Sequence, residues 1–318
     1  MEKVDKLIER IEAATDPFEA KIGSKYVYVK TFGSRWANKV LINEYISLRL
    51  AQSLGLTIPN GGICLIDNTI DIEDVIDCID YDESIEGIAF YSEKVHNANA
   101  LINSMPIINN IINKEEINDI ILFDHLIYNA DRHEGNLLID YSNNLNSFKM
   151  YIIDHSHVFN WNSKNLQESI DNEDYKDKII LELNYKEVYK YFHHFNILNE
   201  TALRKAADRF KNIINGNLLD DIINEIPKVW RYKDEDILKL KEYILYRLNE
   251  LVERDFDLIN INTNMSIKNN LDEQLQGIEK SIKEQMRKTN KLVELYSNEA
   301  ININQFKLQN ESISNTLD

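Results

Sequence analysis

The chain has 318 residues, 43% of them hydrophobic, which is enough to bury the cores of two lobes with material to spare. Its net charge of -17 and pI near 4.9 argue against a nucleic-acid partner, because a phosphate backbone is repelled by such a surface. Cys64 and Cys78 have neither metal-ligand spacing nor a disulfide framework, Met1 to Asp5 is charged, and no apolar run reaches membrane-spanning length, so the expected protein is cytoplasmic, has reduced thiols and does not engage a membrane.

Val4, Leu7, Ile8 and Ile11 recur at helical spacing until Asp16-Pro17, and predict a leading helix over 1–16. Phe18 to Ile22 and Tyr26 to Lys30 are β-rich and joined through Gly23-Ser24, a hairpin. Its turn, Gly23, Ser24 and Lys25, offers backbone N–H groups to a phosphate, or is an ordinary hairpin tip. Ala37 to Leu54 is a helix with Leu41, Tyr45 and Leu48 on one line, closed by Gly55 before Pro59. Glu44 sits on its apolar side, where a carboxylate needs a partner, and Lys30 is the obvious one.

Gly61 to Ile66 and Gly87 to Ser92 read as strands, flanking an acidic excursion over 67–86 that has no Lys or Arg. A hinge between two lobes, with a nucleotide-base site, is expected near Tyr91 to Asn97. Lys114 to Tyr128 is apolar nearly all round, a helix buried in the larger lobe, and it delivers the chain into the polar loop Asn129 to Asn136. Two short strands, Leu137 to Ile139 and Met150 to Ile153, then form a hairpin. Its ends bring Asn136 beside Asp154, eighteen positions later.

Asp131, Asn136 and Asp154 are the parts that phosphoryl transfer needs: a carboxylate to accept a hydroxyl proton, and an amide oxygen and second carboxylate to hold Mg2+. His155 to Lys178 is irregular. Helices follow near Tyr185 to His194, Glu200 to Asn215, Asn217 to Glu225 and Asp234 to Arg254. Leu271, Leu275, Ile278, Ile282 and Met286 mark a further helix, either packing or self-associating through 265–298 as a short coiled coil, and 302–318 reads as disordered.

The loop Asn129-Ala-Asp-Arg-His-Glu-Gly-Asn136 with Ile153-Asp154-His-Ser156 resembles the HipA-like serine/threonine kinases and, more distantly, the phosphoinositide lipid kinases, which share the Asp-Arg-His order. Tyr26 to Lys30, Asn43-Glu44-Tyr45 and Leu54 to Pro59 resemble the small lobe of the same family, so the resemblance covers roughly residues 17–255. It implies an α+β, two-lobed protein-kinase-like fold: an antiparallel β lobe over 17–96, a mostly helical lobe over 97–258 and a C-terminal helical extension and tail over 259–318.

It also implies ATP and Mg2+ as cofactors and a protein substrate. Asp131 is then the catalytic acid/base, Arg132 and His133 buttress its loop, Asn136 and Asp154 hold the metal, Lys30 contacts phosphates and Glu44 positions Lys30. The chain departs from kinases in lacking a Gly-x-Gly-x-x-Gly loop and in carrying Asp-His-Ser in place of Asp-Phe-Gly. His133, His155 and His157 lack a fixed zinc-ligand frame, and kinase chemistry accounts for them. His193-His194 read as structural or surface groups. A small-molecule or lipid kinase, and a catalytically silent nucleotide-binding module, are the alternatives.

Overall fold

The computed structural model describes residues 1–33, 37–79, 85–144, 147–160, 166–172, 187–192, 197–231 and 234–253, together with Arg287. The chain divides into a unit of residues 1–260 and a second of 261–318; the helix expected over 265–298 and the tail over 302–318 lie outside the described residues apart from the helical, exposed Arg287.

The first six strands build one sheet: β1 (Glu2–Lys3), β2 (Lys6–Arg10), β3 (Phe18–Ile22), β4 (Lys25–Lys30), β5 (Gly61–Ile66) and β6 (Gly87–Glu93), in the order β1-β5-β6-β4-β3-β2. All neighbours are antiparallel except β1 and β5. Alternation sets its faces: Val27 and Val29 are buried while Tyr26 and Tyr28 are half-buried, and Val4, Leu7, Phe18, Cys64 and Ala89 complete the apolar layer.

The leading helix predicted over residues 1–16 is therefore replaced by two strands. Val4 and Leu7 are buried as the helix pattern demands, but they are satisfied by pairing far along the chain: Leu7 stands opposite Ala20, and Glu2 opposite Cys64. Apolar residues three apart suit a helix face, yet distant strand partners override so short a pattern.

Helix α1 (Ala37–Leu54) is buried along nearly its whole described length, from Val40 through Leu48. Packing on both sides explains this. It touches β5 and β6 on one side, and on the other α6 (Glu200–Ile213), α7 (Gly216–Glu225) and the turn Lys228–Trp230. Tyr45 Oη donates to Glu225 (2.7 Å), and Trp230, fully buried, donates its indole N–H to the Ile88 carbonyl (2.8 Å). Elements late in the chain thus hold the sheet and α1 together. Trp230→Ala is expected to cost about 3–5 kcal/mol, through the cavity and the lost tie to β6, in a thermal or denaturant melt.

After the short helix α2 (Met105–Asn109), the helical lobe forms around α3 (Ile117–Leu126), where every residue except Asp119 is buried. Helices α6 and α8 (Asp234–Glu253) cover it. Arg247, buried on α8, donates through Nε and Nη2 to the His125 carbonyl (3.0 and 2.6 Å), which also accepts from the Tyr128 N–H (3.1 Å), and so ties α8 to the end of α3. A second sheet pairs β7 (Ala98–Ala100), which precedes α3, with β8 (Leu137–Asn144) and β9 (Ser147–Ile152), which follow the polar loop after α3. Within the irregular segment expected after Asp154, residues Leu166–Asp171 form helix α4, and of the predicted helix 185–194 the described part, 187–192, holds α5 (Glu187–Lys190); His193 and His194 lie outside the described residues. Among the described residues no helix is long and apolar enough to cross a membrane.

Candidate active site

Three elements meet at Lys30. Strand β4 ends on it, α1 presents Glu44, and the chain leaving β9 presents Asp154. Lys30 Nζ donates to Glu44 Oε1 (2.5 Å), Asp154 Oδ1 (2.9 Å) and Ser156 Oγ (2.7 Å). The carboxylate stranded on the apolar side of α1 thus finds the partner its position required. Burial disfavours the Lys30 ammonium, but the charges of Asp154 and Glu44 outweigh it and raise the pKa, so the lysine stays charged. Burial raises the pKa of Glu44 against the pull of Lys30. Asp154 moves the other way: desolvation is outweighed by Lys30 and Ser156, and its pKa falls well below the carboxylate range. Asp154 also has φ +54, a left-handed conformation unusual for a side chain with a Cβ, of the kind that collects at functional sites.

The loop from α3 is locked from beneath by Arg132 and Asp124, both buried. Arg132 grips Asp124 with two parallel bonds, Nε to Oδ2 (2.8 Å) and Nη2 to Oδ1 (2.9 Å). The same guanidinium donates through Nη1 to the carbonyls of Asn136 (2.7 Å) and Ile153 (3.0 Å) and meets His155 Nε2 at 3.1 Å. One side chain therefore ties the loop to the start of β8 and to the turn at Asp154. Asp124 also accepts from Asn129 Nδ2 (2.8 Å) and Tyr189 Oη (2.6 Å), leaving no part of the buried charge unsupported. His155 lies edge-on to Phe123, and burial together with the neighbouring Arg132 charge pushes its pKa down to about 3, so it is neutral at pH 7.

Within this frame Asp131 is exposed. Its N–H donates to Asn129 Oδ1 (3.1 Å) and its carbonyl accepts from Asn136 Nδ2 (2.9 Å), while among the described residues its carboxylate takes no hydrogen bond or ion pair. The Asn136 amide group is thereby fixed with its oxygen available as an acceptor. Leu137 pairs with Ile152, and Ile153 N–H donates to the Asn136 carbonyl (3.2 Å), so Asn136 and Asp154 do flank one hairpin end. Two oxygen donors of this kind suit a hard divalent cation such as Mg2+. His133 is exposed and accepts from the Gly135 N–H (3.0 Å); among the described residues no three His, Cys, Asp or Glu side chains are grouped to hold a metal ion.

A cleft opens from this charged cluster. Lys30, Glu44 and Asp154 line one end, and Tyr28, Leu48, Phe90, Leu138 and Ile152 give the rest apolar walls, with Ser92 and Glu93 at the end of β6 and Val95 just after it along the edge. Ile11 and Pro17 also line it. They belong to the β2–β3 connection, which closes on itself through Ile11 N–H to the Pro17 carbonyl (2.8 Å) and contains no glycine.

Gly23, Ser24 and Lys25 are not brought to this cleft. Phe18 pairs with Val29 and Ile22 with Lys25, which puts the Gly23-Ser24 turn at the far end of β4, about 17 Å from Lys30 by strand rise. There the Gly23 N–H donates to Asp5 Oδ2 (2.6 Å) and Lys25 pairs with Glu93 (2.8 Å), so carboxylates already hold that turn. The connection that covers the lysine end is residues 11–17. Sequence reasoning passed over it because it has no glycine to mark it. Asp124, Tyr189, His155 and Ser156 were also missed as site residues, although an Asp in a helix apolar nearly all round is itself a signal that a buried cation waits nearby.

No curated protein matches the chain in sequence. A solved structure of a Helicobacter pylori proinflammatory kinase, CtkA, aligns with a TM-score of 0.50 at 14% identity, covering 80% of this chain and 95% of that one. A Shewanella oneidensis MR-1 structure of the toxin-antitoxin system HipA and HipB with operator DNA aligns with a TM-score of 0.38 at 13% identity, covering 78% and 68%. A profile described as HipA-like kinase matches residues 4–258, which take in β2 to β9, the cleft and the helical lobe. The chain belongs to the HipA-like kinase family.

Proposed function

We propose that this chain is a cytoplasmic, ATP- and Mg2+-dependent kinase that transfers a γ-phosphoryl group to a hydroxyl, that of a Ser or Thr of a protein. The observation that carries this reading is the meeting of Lys30, Glu44 and Asp154 at the charged end of an apolar cleft. Such a cleft takes a flat base between Tyr28, Phe90, Leu138 and Ile152, and its charged end takes phosphates. Lys30, fixed by Glu44, contacts the phosphate oxygens. Asn136 and Asp154 would hold Mg2+, whose chemistry is to neutralise charge on the phosphates. Asp131 orients the acceptor hydroxyl and takes its proton as the new phosphorus–oxygen bond forms and the bond to the β-phosphate oxygen breaks. Arg132 holds loop and metal turn in one register, so these groups are aligned before the nucleotide arrives.

The Asp131-Arg132-His133 order, shared with lipid kinases, favours a lipid or small-molecule acceptor as the second reading. The expectation of no direct nucleic-acid partner rests on charge alone. Asp154→Asn tests the metal assignment. ATP binding by the wild-type chain should strengthen on adding Mg2+, and the variant should lose that dependence while still binding metal-free ATP in a calorimetric titration. Equal Mg2+ dependence in both proteins would remove Asp154 from the metal site.

A further inference from the structure

Lys30 has three N–H groups, and three acceptors occupy them: Glu44 Oε1 at 2.5 Å, Asp154 Oδ1 at 2.9 Å and Ser156 Oγ at 2.7 Å. No donor is left over for a phosphate. The Ser156 hydroxyl has a single proton, yet its oxygen lies 2.7 Å from Asp154 Oδ1 and 2.8 Å from Glu44 Oε1, so it donates to one of them at a time. Its position is fixed: Ser156 is 1% exposed, Asn43 Nδ2 donates to its carbonyl (2.6 Å), and the preceding His155 N–H donates to Glu44 Oε1 (3.2 Å).

Building on the kinase reading, we propose that Ser156 is the positioning residue that sets the nucleotide-ready state of Lys30. When Asp154 turns to a divalent cation, the Ser156 hydroxyl donates its hydrogen bond to Glu44 Oε1 and keeps accepting from Lys30. The ammonium then stays tethered at Glu44 and Ser156, and one N–H is released. That N–H, freed where the Asp154 carboxylate stood, would be open to a phosphate entering the charged end of the cleft. Without the hydroxyl, Lys30 has a single tether at Glu44 and two donors with no fixed direction. A glycine, as in Asp-Phe-Gly, has no side chain to do this, so the Ser at 156 gives this chain a tether of its own.

The test compares two probes, a non-hydrolysable ATP analogue with Mg2+ and adenosine, on the full chain carrying Ser156→Ala, Ser156→Cys or Ser156→Thr. Ser156→Ala should weaken the Mg2+-bound analogue roughly 10- to 100-fold, the effect of one charge-assisted hydrogen bond, and leave adenosine affinity unchanged. Ser156→Thr, which retains the hydroxyl, should restore binding of the analogue. Should Ser156→Ala unfold, Ser156→Cys keeps the size without a strong donor and must show the same selective loss. Wild-type affinity for both probes in the Ala and Cys variants would overturn the proposal, as would an equal loss of both probes, which would mark Ser156 as a mere support of the turn. Failure of the wild-type chain to bind either probe would instead overturn the kinase reading on which the proposal rests.

Discussion

Asp131→Asn is expected to lower phosphoryl transfer by about 10²- to 10⁴-fold, the usual contribution of a positioned general base, and to leave nucleotide binding intact. The separation of the two effects follows from where Asp131 sits. Its backbone is built into the loop through Asn129 and Asn136, bonds that an Asn at 131 retains in full. Its carboxylate makes no contact with Lys30, Glu44 or Asp154 and does not line the cleft. The substitution therefore removes one proton acceptor and nothing that holds phosphates. Steady-state transfer and a binding titration on the same preparation check both halves.

Asp124→Asn should act through the fold of the site. It removes the charge opposite Arg132 while that guanidinium, fully buried, has no route to water. Stranding one member of a buried ion pair costs about 3–5 kcal/mol, which for a protein of this size lowers the melting temperature by roughly 5–9 °C. Transfer should fall as well, because the same guanidinium orders the Asn136 and Ile153 carbonyls beside the turn that carries Asp154. In the double variant Asp124→Asn/Arg132→Met the stranded charge is gone, so its destabilisation should be smaller than the sum of the two single changes. Strict additivity in thermal melts would mean that the pair does not share one energetic unit.

Parts of the site that follow from local chemistry were legible in the sequence. A carboxylate between Leu41 and Leu48 on an apolar helix face demanded a cation, and the strand before it ended on one. Asn136 and Asp154 bracket a hairpin short enough for its ends to be neighbours, and the register of Leu137 with Ile152 bears this out. What escaped depends on pairing between distant segments. The spacing of Val4, Leu7 and Ile8 fits a helix face, and only partners near residues 20, 64 and 71 make strands of it. The Gly23-Ser24 turn drew attention because glycine is conspicuous, whereas strand direction decides which turn faces Lys30, and the answer is the glycine-free connection 11–17. Ser156 stood out only as part of the Asp-His-Ser motif, and its contacts were not legible for a different reason. A serine in a loop is ordinary until Lys30, Glu44 and Asp154 are found around it.

The most direct test is incubation of the chain with γ-labelled ATP and Mg2+, alone and with a mixture of cellular proteins and metabolites, followed by mass spectrometry. Label on Ser or Thr of a protein, lost in Asp131→Asn, is the predicted result. Label confined to a lipid or metabolite would contradict the protein acceptor, and undiminished labelling by Asp131→Asn would contradict the assignment of the catalytic base.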